Sequence, residues 1–117
     1  MSESTMTRAL TKRLRESGVV VLACVGGGRQ GAGWPDRYVA HPWWRGWVEF
    51  KLGNGRLTAL QRIMLERLRR VGVSVAVARW HASGGMQIER EDGTYLAGLS
   101  PGFSVADLLE ALHDVAV

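Results

Sequence analysis

The chain has 117 residues, 46% of them hydrophobic and 22% charged, which suits one domain with a real core and is too short for two. No apolar run reaches the length of a bilayer crossing and no signal peptide opens the sequence, so a cytoplasmic protein is expected. The formal net charge of +4 favours an anionic partner, and the single cysteine, Cys24, excludes a disulfide framework and a thiolate zinc site.

Ser2 or Ser4 is placed to cap a first helix running to about Ser17, with Gly18 ending it. Met6, Leu10 and Leu14 form its apolar stripe, Glu3 falls on that same stripe, and Glu16 falls on the water side. Residues 19–25 are continuously apolar, which predicts a strand buried on both faces with Cys24 as an inert thiol within it. Gly26, Gly28 and Gly31 then match GxGxxG literally. A dinucleotide site needs a helix straight after the glycines, and here Pro35 and a strand follow, so that reading fails. The absence of a following Gly-Lys-Ser/Thr excludes a phosphate-binding P-loop as well. What is left is a loop whose Arg29 can reach a phosphate, or a plain linker.

The stretch 33–61 organises the rest. Two short strands are joined at His41-Pro42-Trp43-Trp44, with Pro42 at the second position of a type I turn. Alternation puts Asp36, Tyr38 and Ala40 on one face of the first strand, and Trp47, Glu49 and Lys51 on one face of the second, with Val48 and Phe50 opposite. That turn sets Asp36 directly across from Glu49, with β-carbons about 5 Å apart. Two carboxylates so placed repel unless a cation lies between them, and this predicts a metal site with Lys51 beside it. The hairpin tip holds Trp43, Trp44, Arg45 and Trp47, an aromatic and cationic cluster suited to stacking on bases or to a dimer contact. Trp34 and Trp47 read better as core or site wall.

Thr58 and Gln61 have the spacing of a capping box opening a second helix. Leu60, Met64, Leu68 and Val71 form its predicted buried stripe, with Arg62, Arg69 and Arg70 largely off it. Gly72 ends the helix, and residues 73–78 form another buried strand. Beyond Arg79, residues 86–91 and 94–99 predict a hairpin turning at Asp92-Gly93, and Ser104 and Asp107 cap a closing helix to about Asp114. Residues 1–80 carry 14 Lys/Arg against 5 Asp/Glu, and residues 81–117 carry 1 against 6. The arginine-rich body is therefore expected to meet a polyanion, while the acidic end covers a sheet edge or helps a second subunit dock. His41, His81 and His113 lack ligand spacing and receive no metal role.

Gly33-Trp34-Pro35-Asp36, then twelve residues, then Glu49-Phe50-Lys51 is similar to the PD-(D/E)XK nuclease signature. Gly53-Asn54-Gly55-Arg56-Leu57-Thr58, Gln61 at a helix start and the later Gly72 make the chain resemble the small stand-alone VRR-NUC branch, over residues 1–80. The resemblance implies an α/β restriction-endonuclease-like core of helix, three-stranded meander, helix and strand, in a single domain 1–117 with residues 81–117 as an extension. It implies a metal-dependent endodeoxyribonuclease resolving branched DNA as a homodimer, in a bacterial or phage-infected cell. Asp36, Glu49, the Phe50 carbonyl and Glu3 are the implied ligands of Mg²⁺ or Mn²⁺, with Lys51 and Gln61 catalytic. Arg29, Arg37, Arg56 and Arg62 are the candidate DNA contacts. Two other readings stand beside this one: a non-catalytic DNA-binding or assembly protein on the same fold, and a restriction-type endonuclease. Relatives of that branch often carry a lysine in the strand where this chain has Leu22-Ala23-Cys24.

Overall fold

The computed structural model describes residues 2–23 and 33–114. Cys24, the glycine run and Arg29 lie outside the described residues. The elements follow as α1 (Glu3–Glu16), β1 (Val20–Ala23), β2 (Arg37–His41), β3 (Trp44–Leu52), α2 (Ala59–Arg70), β4 (Val75–Trp80), β5 (Met86–Glu89), β6 (Tyr95–Leu99) and α3 (Val105–Asp114). The six strands form one mixed sheet in chain order. Every neighbouring pair is antiparallel except β3 and β4, which run parallel because α2 carries the chain across between them. This is the α/β restriction-endonuclease-like architecture that the resemblance implied.

Capping explains the helix ends. The Ser2 hydroxyl accepts from Thr5 N–H, and Gly18, at φ +84°, takes the chain out of α1 in a conformation that side chains resist. Thr58 and Gln61 complete a capping box on α2. Ser104 and Asp107 form a second reciprocal pair at the start of α3.

One sheet face carries the core. Val21, Val39, Val48, Phe50, Ala78 and Ile88 share it through the strand registers, and they pack with Leu10 and Leu14 of α1 and with Leu108, Leu109 and Leu112 of α3. The opposite face bears Trp47, Glu49, Lys51 and Arg79, and α2 packs there against β4. Because that face is largely polar, α2 buries little. Leu65 is its one fully buried residue, whereas Leu60 and Val71 of the expected stripe are 54% and 78% exposed.

The expected double burial of β1 does not hold. Val20 and Leu22 are 66% and 61% exposed, because β1 is an edge strand and only its Val21 side meets the core. Trp44, expected at an exposed tip, is buried at 3% exposure, and only Trp43 projects. A Cβ on Gly46 would lie 2.7 Å from the Trp44 ring and 2.4 Å from the Ser74 carbonyl, so a glycine there lets the indole fold under the hairpin. In the last hairpin, β5 stops at Glu89 and Glu91 is buried on Arg69 Nε at 2.6 Å, which makes the connection longer than two residues.

Candidate active site

The β2–β3 hairpin pairs His41 with Trp44 and continues in step to Arg37 with Val48. One further step puts Asp36 across from Glu49. The two-residue Pro42-Trp43 turn sets this register, since a slip of one residue would send Glu49 to the core face. Asp36 leaves a bend after the buried Pro35, and its Oδ2 accepts from the Phe50 backbone N–H at 2.9 Å. The carboxyl is thereby tied to β3 beside Glu49.

Gly33 supports the same junction from the other side. At φ +95°, a Cβ there would lie 2.6 Å from the Leu60 carbonyl. The bare backbone lets the Asp36 segment pass close over the start of α2. Gln61 is consequently shared between two tasks. Its Oε1 accepts from Thr58 N–H at 2.9 Å, completing the cap, and its Nε2 is directed at Glu49 Oε2, 3.4 Å away.

Glu49 is the centre of the group. It is 1% exposed, Lys51 Nζ lies 4.0 Å from Oε2, and Oε1 is buried without a hydrogen-bond partner. Burial, then the Asp36 charge, push the Glu49 pKa from 4.5 up to about 9, against a smaller opposing pull from Lys51. Glu3, half-buried at the start of α1, adds a minor repulsion. A lone buried carboxyl oxygen facing a second carboxyl is a donor set suited to a small, hard divalent cation. Asp36 and Glu49 fit such an ion; among the described residues no group of three or more His, Cys, Asp or Glu side chains is spaced to hold one. Phe50 turns its ring into the core while its N–H serves Asp36.

Trp47 walls the site, stacked edge-on to Tyr38 at 5.2 Å and tilted against Trp34 at 5.9 Å. Arg56 and Arg62 are exposed, on the loop entering α2 and on its first turns. Arg37 does not join this face. It pairs with Val48, and its side chain turns to the α1 side, donating among the described residues only to the Asp36 carbonyl.

Arg79 is the residue that sequence reasoning missed. It stands next to Lys51 across the parallel β3–β4 pair and donates to the Gly53 and Gly55 carbonyls at 2.7 and 2.6 Å. Its Nε is ion-paired with Glu89 at 3.0 Å, and Gln87 also donates to that carboxylate. Arg79 therefore fixes the loop joining Lys51 to Gln61. No local signal announces it, because the pairing depends on a parallel register across a helix.

No protein-family model and no curated protein matches this chain. Among solved structures, the Holliday junction resolvase Hjc of the archaeal hyperthermophile Archaeoglobus fulgidus superposes with a TM-score of 0.62, covering 91% of this chain and 98% of that one at 16% identity. The two chains share a fold.

Proposed function

We propose that this protein is a divalent-metal-dependent endodeoxyribonuclease selective for branched DNA, a resolvase acting as a homodimer. In this reading it is of the kind of the VRR-NUC branch of the PD-(D/E)XK nucleases. The observation that carries the proposal is the crowding of Asp36 on a fully buried Glu49 that keeps one oxygen unpartnered. The resolvase named above supports the choice of substrate through its fold.

Asp36 and Glu49 would hold Mg²⁺ or Mn²⁺, with the Phe50 carbonyl and Glu3 as further oxygen donors. When bound, such an ion supplies Lewis-acid polarisation of a phosphoryl oxygen and a more acidic water. Lys51, held 4.0 Å from Glu49, orients the attacking water and offsets charge developing on the phosphate oxygens. The Gln61 amide, anchored by its cap, donates to Glu49 in the free protein and is placed to donate to water or phosphate when substrate arrives. In the balanced step a water oxygen bonds to phosphorus, the P–O bond to the leaving strand breaks, and a proton passes to the departing oxygen. Arg56 and Arg62, and Arg29 outside the described residues, would grip the flanking backbone.

The test offers a four-way junction, a flap and linear duplex to wild type and to Glu49→Ala, with Mg²⁺, with Mn²⁺ and with chelator. Paired nicks near the junction centre are expected, dependent on the ion and reduced at least 100-fold in the variant, the scale of losing a main electrostatic group. A wild type that binds DNA and cuts none of these substrates would leave a non-catalytic DNA-binding protein on a nuclease fold. Discrete plasmid fragments would instead mark a restriction-type enzyme.

A further inference from the structure

On the far side of β2 from Glu49 lies an open cleft of about 430 Å³ between α1 and the start of the sheet. Arg8, Lys12, Arg15 and Arg37 line it, with Glu16 as its single carboxylate. The three helix cations recur at intervals of four and three residues, so they form one stripe along α1. At 1.5 Å per residue, Arg8 and Lys12 are about 6 Å apart along the axis, and Lys12 and Arg15 about 4.5 Å. That spacing is comparable to consecutive phosphates of a nucleic-acid strand, which climb about 3.4 Å per nucleotide while winding round the helix.

Arg8 and Lys12 are exposed and make no ion pair or side-chain hydrogen bond among the described residues. Arg15 spends one nitrogen on the Val21 carbonyl, and Arg37 spends one on the Asp36 carbonyl while its Nε is buried without a partner. Like charges gathered with so little neutralisation are a standing cost unless an anion binds among them. The cleft adjoins the candidate active site through Arg37, which follows Asp36 in the chain.

We infer that this cleft is a second DNA site, which takes the phosphate backbone of a duplex arm away from the bond being cut. The identity of the polyanion rests on the nuclease reading above. A duplex lying against α1 could meet the cleft with one stretch of backbone while the branch point lies over Glu49. A branched molecule offers that second stretch at an angle that linear DNA does not, and the site would then contribute to selectivity as well as to grip.

The experiment measures equilibrium binding in chelator to a four-way junction, a linear DNA duplex and an RNA duplex, over a series of salt concentrations, in a Glu49→Gln background. Arg8→Ala with Lys12→Ala should lower the slope of log K against log salt by about two, one for each lost phosphate contact. Affinity near 0.1 M salt should fall on the order of tenfold, and Arg8→Lys alone should keep the slope. Both side chains are exposed, and a thermal melt confirms that the variants fold. An unchanged slope and affinity overturns the inference, and so does a change confined to RNA. A reduced slope in a protein that never cuts would sink the nuclease reading and leave this site standing. Normal cutting with an unchanged slope would do the reverse.

Discussion

A carboxyl sealed from water and faced by a second carboxyl is held neutral, and at Glu49 this has a consequence for stability. In the unfolded chain the group ionises near 4.5, whereas in the fold it keeps its proton up to about 9. Between those values the folded state holds the extra proton. Metal-free stability should therefore fall as pH rises through that window and level off above it, by at most about 1.4 kcal/mol per pH unit. Thermal melts in chelator from about pH 5 to about pH 9 should show this decline in wild type and a flatter line in Glu49→Gln, whose amide has no proton to surrender. Mg²⁺ should raise the wild-type melting temperature most at the alkaline end, where it no longer competes with a proton. A wild type that grows more stable relative to Glu49→Gln across the same range would contradict this account of the site.

Between strands, the question is what holds Lys51 and Gln61 in their relation to Glu49. The loop from Gly53 to Gly55 hangs by its carbonyls from Arg79, and Arg79 is held by the buried Glu89. Arg79→Ala should cost about 3–5 kcal/mol, because it strands a buried carboxylate. Replacing the pair together, Arg79→Met with Glu89→Leu, should return most of that stability in denaturant titrations. Turnover should stay low in the same double variant, since nothing then holds the loop carbonyls, and full recovery of both would show the tether to be irrelevant to cutting. The hairpin that carries Asp36 and Glu49 was legible because one turn, at Pro42-Trp43, sets every pairing in it. The Arg79 tether was not, because its register passes through a crossover that no local pattern encodes. The apolar stripe of α2 misled for a related reason. Periodicity at Leu60 and Val71 tells which side a helix turns inward, but not how wide a surface is there to receive it. Trp44 was misread because its burial depends on Gly46 and on Ser74, a residue from a distant turn.

At the scale of the whole molecule, the sheet order separates the charges. The basic α1 and Arg37 of β2 lie toward one edge and the acidic β5–β6 hairpin forms the other. DNA should thus approach over α1, and the C-terminal hairpin serves to pair along β4 while α3 completes the core. That assignment leaves the β1 edge free for a protein partner, since it is unpaired within the described residues and Val20 and Leu22 present apolar side chains on the face away from the core. An exposed apolar edge strand is an aggregation hazard unless something covers it. In a resolvase that nicks two strands symmetrically, a second copy related by a two-fold axis is the covering that also positions two sites. Sedimentation of wild type should then show a dimer, and Val20→Glu with Leu22→Glu should show a folded monomer. Presented with a four-way junction, that monomer should give single nicks where wild type gives paired ones. If the double variant sediments as a dimer and still nicks in pairs, the two copies meet elsewhere, with the exposed Trp43 at the hairpin tip as the next surface to change.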